Sequence, residues 1–123
     1  MNLNQVTLRA LSLEDSVSFY KRLGFNLIVL DEGYARFECP DGDSTFSLEA
    51  TSKNESTTVV YFEVCNLISK YEELTSKGFE FFSEPKKEPW LWDEARLKDP
   101  SGNEICIYTA GQNRKNPPWR INA

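Results

Sequence analysis

The stretch that decides the fold is residues 12–25, which read SLEDSVSFYKRLGF. Ser12 can cap a helix with its hydroxyl oxygen, and the carboxylate of Asp15 follows three residues later. Gly24 can adopt the left-handed conformation that often ends a helix. The apolar residues between these signals recur at helical spacing and are Leu13, Val17, Tyr20 and Leu23. The stretch therefore predicts a capped, amphipathic helix with a sharp end.

Short strands are predicted on both sides of this helix, because polar and apolar residues alternate there. One strand precedes the helix and three follow it, at residues 5–10, 25–30, 34–39 and 45–50. Turn-forming residues, Asp31-Glu32-Gly33 and Pro40-Asp41-Gly42, separate the last three strands. The first half of the chain is therefore predicted to have the order βαβββ.

The second half repeats this order, and Phe79 stands 54 residues after its counterpart Phe25. Asn66 caps the second helix, whose inward residues are Leu67, Tyr71 and Leu74, and Gly78 ends it. The predicted strands of this half are residues 59–64, 79–83, 94–98 and 104–109. We predict one domain, with module one at about 4–50, a polar linker at 51–57, module two at about 58–109 and a tail at 110–123.

Two segments, residues 12–25 and the later Lys98-Asp99-Pro100-Ser101-Gly102-Asn103-Glu104-Ile105, resemble the vicinal-oxygen-chelate superfamily. This group contains glyoxalases, bleomycin-resistance proteins and ring-cleaving dioxygenases. The resemblance covers residues 4–109 and implies an α+β fold in which two βαβββ modules form half-barrels, usually in a homodimer. Because this fold supports isomerases, lyases, dioxygenases, thiol transferases and ligand-sequestering proteins, the function must come from the site.

The composition excludes several classes of function. The chain has no histidine, which removes every mechanism that needs a histidine base or a histidine metal ligand. Its net charge of -5 disfavours a nucleic-acid partner. No apolar run is long enough to span a membrane, and Cys39, Cys65 and Cys106 lack the spacing of a zinc site or a disulfide framework. We therefore predict a cytoplasmic protein that binds neither nucleic acid nor membrane.

For metal-dependent members, the resemblance implies four ligands, on the first and last strand of each module. These positions fall on Gln5, on Val59, on Cys106 and on either Ser47 or Glu49. Valine cannot coordinate a metal, and the remaining donors mix hard oxygen ligands with a soft thiol. We therefore predict no metal and no cofactor. The alternative is a glyoxalase-type lyase or isomerase with an atypical divalent metal held by Gln5, Glu49 and Cys106.

Side chains that share a strand face with the implied ligand positions should line a cavity. The predicted ligand-binding residues on this face are Gln5, Arg9, Ser47, Glu49, Tyr61, Glu63, Glu104, Cys106 and Tyr108. The opposite face, predicted to pack on the helices, contains Val6, Leu8, Val60, Phe62, Ile105 and Ile107. Arg9 facing Glu49, Glu63 or Glu104 is either an internal salt-bridge cluster or a contact for a polar ligand, and the sequence leaves both open.

The aromatic segment 89–94 and the C-terminal tail are the remaining candidates. Trp92 is predicted to stack on a ligand, although its segment could instead pack on the barrel or on a second subunit. The tail, which is neither strand nor helix by pattern, is expected to wrap a partner or its own helix, or to close over the pocket.

The combined prediction is a metal-independent protein that binds a small organic molecule, resembles bleomycin-resistance proteins and holds its ligand in the half-barrel cavity of a homodimer. Acidic residues and Trp92 favour a planar, cationic ligand. A further alternative is a structural or regulatory module whose own side chains fill the pocket.

Overall fold

A computed structural model describes residues 2–53 and 58–121, so the predicted linker lies partly outside the described residues. Both halves have the predicted order βαβββ. The elements of the first half are β1 (Gln5–Ala10), α1 (Leu13–Leu23), β2 (Asn26–Leu30), β3 (Tyr34–Glu38) and β4 (Thr45–Ala50). Those of the second half are β5 (Val59–Glu63), α2 (Leu67–Ser76), β6 (Phe81–Lys87), β7 (Asp93–Lys98) and β8 (Glu104–Thr109). No helix in the described residues is both long and apolar enough to cross a membrane.

The chain divides into two compact units. Unit 1 comprises Met1–Thr58 together with Asp99–Asn103, and unit 2 comprises Val59–Lys98 and Glu104–Ala123. The loop at Asp99–Asn103 therefore belongs to unit 1, although the strands that it joins, β7 and β8, belong to unit 2.

The helix α1 forms as the sequence predicts. Ser12 Oγ accepts a hydrogen bond from the Asp15 backbone N–H at 3.2 Å, and Gly24 adopts a left-handed φ of 116°. Tyr20 and Leu23 are buried, and the Tyr20 ring lies 5.0 Å edge-on from the ring of Phe46 on β4. The helix therefore covers one face of its sheet with an aromatic core.

The sheet of unit 1 has the strand order β1-β4-β3-β2, with β1 and β4 parallel and the other pairs antiparallel. Its register places Arg9 beside Glu49 and Arg36 beside Ser47. Because side chains alternate along a strand, these residues share the face away from α1, which we call the far face of unit 1.

The sheet of unit 2 repeats this topology in the order β5-β8-β7-β6. Its register places Tyr61 and Arg96 on either side of Cys106, so these three residues lie on the face away from α2, the far face of unit 2. On α2, the Asn66 side chain accepts from the Ser69 N–H at 3.0 Å, and Gly78 just after the helix has a φ of 91°.

Two sequence-based predictions in unit 2 need correction. The second strand of the module, β6, runs over Phe81–Lys87 instead of residues 79–83, because Pro85 interrupts the pairing without ending the strand. The tail contains a short 3₁₀ helix, Gly111–Arg114, where no regular structure was predicted.

The predicted helix-facing set is buried only in part. Leu8, Ile105 and Ile107 are at most 4% exposed, as expected for core residues. Val60 and Phe62 are half-buried, and Val6, near the start of β1, is 36% exposed. Strand alternation thus predicted the correct face, while burial along that face differs from residue to residue.

The later of the two segments on which the family resemblance rests has a structural role in unit 1. Asp99 is 5% exposed and accepts hydrogen bonds from the Tyr20 hydroxyl at 2.7 Å and from the backbone N–H groups of Ser101 and Asn103. The Asn103 side-chain amide also donates to the Arg9 backbone carbonyl at 2.7 Å. Burial, reinforced by the Asp99 carboxylate, raises the pKa of Tyr20. These contacts keep a buried carboxylate fully hydrogen-bonded.

Candidate functional site

The pairing registers make the two far faces directly comparable. Ser47 on β4 pairs with Arg36 on β3, and Cys106 on β8 pairs with Arg96 on β7. Each module therefore has an arginine on its third strand, opposite a small side chain on its last strand. The register also resolves the choice between Ser47 and Glu49, because Ser47 is the residue that corresponds to Cys106.

The far face of unit 1 contains a chain of hydrogen bonds centred on Ser47, which is fully buried. Gln5 Nε2 donates to Ser47 Oγ at 2.6 Å, and the Tyr34 hydroxyl lies 2.5 Å from the same oxygen. Arg36 Nε donates to the Tyr34 hydroxyl at 2.9 Å, and Thr45 Oγ1 donates to Gln5 Oε1. Four side chains on three strands are thus held around one serine.

Arg9 lies on the same face, and its partner is Glu49. The Arg9 Nη1 to Glu49 Oε1 distance is 2.7 Å, and both side chains are more than half exposed. The sequence left three acids as possible partners of Arg9. The structure pairs Arg9 with Glu49, while Glu63 and Glu104 bind other partners. An exposed pair of this kind contributes at most about 1 kcal/mol to stability.

The far face of unit 2 contains a denser charged cluster around Arg96. The guanidinium contacts Glu94 at 2.9 Å and Glu104 at 2.5 Å, and its Nη2 lies 3.3 Å from the Tyr61 hydroxyl. The indole N–H of Trp90 donates to the second oxygen of Glu94 at 2.6 Å. Burial opposes the charged form of Arg96, but the hydrogen bonds that it donates to Glu94 and Glu104 outweigh burial and raise the pKa of Arg96.

An aromatic group lies beside this cluster. The Trp92 ring stacks on the Tyr108 ring at 4.6 Å with an interplanar angle of 16°, and Tyr61 meets both rings edge-on. Tyr61 is 45% exposed, whereas Tyr108 is 5% exposed. The group therefore presents an accessible ring that is held by two others.

Glu63 and the tail form the border of this region. Glu63 Oε2 accepts from the backbone N–H groups of Ala110 and Gly111 at 3.1 and 3.0 Å, and Arg114 Nε lies 3.7 Å from its other oxygen. The Trp92 indole N–H donates to the Asn113 carbonyl at 3.4 Å. The first turn of the tail is thus fixed against unit 2, and Glu63 serves as its anchor.

Cys106 is fully buried between the charged and aromatic groups. Burial, followed by the negative charge of Glu94, raises the pKa of Cys106 to about 12. The thiol is therefore protonated at neutral pH and is a poor nucleophile, and deprotonating it to bind a metal would cost free energy.

The ten sequence-predicted site residues all occur in these arrangements, with Gln5, Arg9, Ser47 and Glu49 in unit 1 and the other six in unit 2. Sequence reasoning missed the residues of the third strands: Tyr34, Arg36, Glu94 and Arg96. Their period-two alternation was a usable signal, because each stands two residues from its neighbour on the same face. The predicted site residues other than Trp92 all lie on the first and last strands of each module.

Comparison with known proteins gives the family. The sequence profile of the Glyoxalase/Bleomycin resistance protein/Dioxygenase superfamily matches residues 2–107, and the chain belongs to this superfamily. No curated protein sequence matches the chain.

Solved structures agree with the fold. A glyoxalase/bleomycin resistance protein/dioxygenase from Nocardioides has a TM-score of 0.80 at 24% identity, covering 99% of this chain and 90% of its own. A bleomycin-binding protein complexed with bleomycin has a TM-score of 0.75 at 20% identity, and the match covers 89% of this chain and 98% of that one. The bleomycin-binding protein of Streptomyces verticillus, complexed with copper(II)-bleomycin, has a TM-score of 0.75 at 23% identity, covering 90% and 98%. At these identities the similarity establishes the fold alone.

The residues at the metal positions of the family do not fit a divalent ion. Val59 is apolar and packs against the cluster of Cys106, Tyr108 and Ala110. Burial raises the pKa of the Cys106 thiol, and the Gln5 amide oxygen, the atom that would bind a metal, already accepts a hydrogen bond from Thr45 Oγ1. Within residues 2–53 and 58–121, no three His, Cys, Asp or Glu side chains form a group that could hold a metal.

Proposed function

We propose that this protein is a metal-independent binder of small organic molecules, in which a homodimer completes the cavity and the far faces supply the ligand contacts. The preferred ligand is a planar cation. The observation that carries the proposal is the exposed Tyr61 ring, held edge-on by the stacked pair of Trp92 and Tyr108. Three rings fixed in this way offer a planar ligand a surface that loses little conformational freedom on binding.

The charges around the aromatic group support a cation for a specific reason. The carboxylates of Glu63, Glu94 and Glu104 already have cationic or N–H partners, so they are not free counter-ions. The attraction must then come from the ring faces, which bind cations through their quadrupoles, and from the net charge of -5, which steers cations at long range. The ring component survives at high salt, whereas the steering component does not.

A titration with three probes tests this function. We expect N-methylacridinium to bind and to quench tryptophan fluorescence, and bleomycin, the ligand of two structurally similar proteins, to compete with it. Neutral acridine, of nearly the same shape, should bind at least about tenfold more weakly. Trp92→Leu should weaken the acridinium complex by a similar factor, because it removes half of the stacked pair.

The matched control is Trp119→Leu, which alters a 57% exposed tail residue and should leave binding unchanged. Equal affinity for the neutral and cationic probes contradicts the preference for a cation, and no binding of any probe contradicts the proposed function. Sedimentation equilibrium tests the homodimer, which a purely monomeric chain would contradict.

Elemental analysis of protein purified without chelator tests metal independence. A stoichiometric divalent metal would contradict our proposal and favour the glyoxalase-type lyase or isomerase. We expect none, because Val59 cannot coordinate a metal, the Gln5 oxygen is engaged by Thr45, and the raised pKa of Cys106 makes loss of its proton costly.

A further inference from the structure

The far face of unit 1 contains an arginine whose charge is not neutralised by the described protein. Within residues 2–53 and 58–121, Arg36 takes part in no ion pair, and its hydrogen bond comes from Nε, which donates to the Tyr34 hydroxyl. The guanidinium is half-buried and lies 5.4 Å from the centre of the Tyr34 ring. Arg9 on the same face is different, because Glu49 neutralises it. The two terminal nitrogens of Arg36 therefore remain available as a planar pair of donors.

The hydrogen bonds around Ser47 and Tyr34 leave one hydroxyl proton without an acceptor, and this proton is a second available donor. Gln5 donates to Ser47 Oγ, Arg36 donates to Tyr34, and one hydroxyl proton lies between Ser47 and Tyr34. The two hydroxyls carry two protons, so one of them has no acceptor in this chain of contacts. Because Ser47 is fully buried, the proton that a ligand can reach is that of Tyr34, and it is free when Ser47 donates to Tyr34.

The environment of the Tyr34 hydroxyl favours negative charge. Its hydrogen bond with Ser47, helped by the hydrogen bond and charge of Arg36 and opposed by burial and by Glu49, lowers the pKa of Tyr34. A position that stabilises a phenolate also stabilises a bound oxyanion, because both place negative charge at the end of the same donors.

We propose that Arg36, Tyr34 and Ser47 form a binding site for the carboxylate group of a small organic acid. The guanidinium binds the carboxylate through its terminal N–H pair, and the free hydroxyl proton donates to one carboxylate oxygen. This site goes beyond the proposed function and does not depend on it, since every residue that forms it belongs to unit 1 and the planar-ligand surface belongs to unit 2.

Calorimetric titration with benzoate tests the site, with benzamide as the neutral probe of the same shape. We expect benzoate to bind and benzamide to bind at least about tenfold more weakly, since a charge-assisted pair is replaced by neutral contacts. Arg36→Gln should weaken benzoate binding at least about tenfold. Tyr34→Phe, which keeps the ring, should weaken it about threefold to tenfold.

The matched control is Arg9→Gln, which removes an equal charge from the same face and should change benzoate affinity less than about threefold, because Glu49 already neutralises Arg9. A second readout is the ultraviolet titration of Tyr34, whose absorbance change should move to higher pH when benzoate is bound and be absent in Tyr34→Phe. Equal binding of benzoate and benzamide, or equal losses in Arg36→Gln and Arg9→Gln, would overturn the proposal. Trp92→Leu should leave benzoate binding intact, so failure of the planar-ligand proposal is distinguishable from failure of this one.

Discussion

The far faces of the two units differ in how each accommodates its arginine. In unit 2, Arg96 lies between two carboxylates, one of them on the almost fully buried Glu94. In unit 1, Arg36 lies at the equivalent register position, and its partner is the hydroxyl of Tyr34. The same duplicated strand thus supports a self-neutralised structural cluster in one module and an unneutralised set of donors in the other. A shared register does not imply a shared role.

Removing each arginine in turn should give the largest difference in stability between the two units. Arg96→Met should lower the free energy of unfolding by about 3 kcal/mol, because Glu94 is then buried without its cationic partner. Arg36→Met should change it by less than about 0.5 kcal/mol, since no buried carboxylate depends on it among the described residues. Urea unfolding followed by tryptophan fluorescence measures both.

The control for charge is Arg96→Lys, which keeps the cation but loses the fork that contacts both carboxylates, and its loss should be intermediate. Similar losses for Arg96→Met and Arg36→Met would mean that the two arginines stabilise the fold equally, against the structural comparison.

Sequence analysis predicted the faces well and the partners poorly. Alternation along β1, β4 and β8 placed Gln5, Ser47 and Cys106 on one side of their strands, because the side-chain period of two is a property of the local backbone. The partner of Arg9 could not be derived, because it depends on how β1 and β4 align across residues distant in the sequence. Alternation alone could have placed Arg36 and Arg96 on the far faces, but their partners depend on the same long-range register.

A smaller difference between the units is expected in the energetic coupling between neighbouring side chains on each far face. In unit 1, Ser47→Ala should cost about 1–2 kcal/mol, because Gln5 and Tyr34 each lose a partner. Adding Tyr34→Phe should then cost little more, which gives a coupling of about 1 kcal/mol in a double-mutant cycle.

The matching cycle in unit 2 combines Cys106→Ala with Tyr108→Phe. These residues pack together, but no hydrogen bond between their side chains occurs in the described part of the chain, so their coupling should be smaller than that of Ser47 and Tyr34. Coupling of equal size in both units would indicate that the hydrogen bonds of unit 1 have no special contribution.

Alkaline titration tests the buried thiol of unit 2, which has no counterpart at Ser47. The pKa of Cys106 rises from 9.0 to about 12 on folding, so the unfolded chain loses this proton first. The stabilisation is fully present below pH 9.0 and is lost as pH rises from 9.0 towards 12. Over the accessible part of this range, the free energy of unfolding should fall by on the order of 1 kcal/mol more in the natural chain than in Cys106→Ala. If the free energy of unfolding depends on pH equally in the natural chain and in Cys106→Ala, the pKa of Cys106 is not raised by folding.

The smallest expected effect concerns the turns that precede β3 in unit 1 and β7 in unit 2. In unit 1 the turn closes with the Asp31 N–H donating to the Tyr34 carbonyl, whereas in unit 2 Glu88 and Trp92 close a turn that is one residue longer. The longer turn holds Leu91 at a φ of 67°, a left-handed conformation that costs a leucine about 1–2 kcal/mol.

Leu91→Gly should therefore raise the free energy of unfolding by about 0.5 kcal/mol, because relief of strain exceeds the extra entropy of glycine in the unfolded chain. Gly33→Ala in the shorter turn measures that entropy separately, since Gly33 is not left-handed and an added Cβ would lie 4.0 Å from the nearest atom, the Cβ of Ala50. Thermal unfolding of both variants provides the measurement. If Leu91→Gly destabilises the protein, the leucine side chain contributes more by its packing than the backbone loses by its strain, and the turn of unit 2 is then held by that side chain.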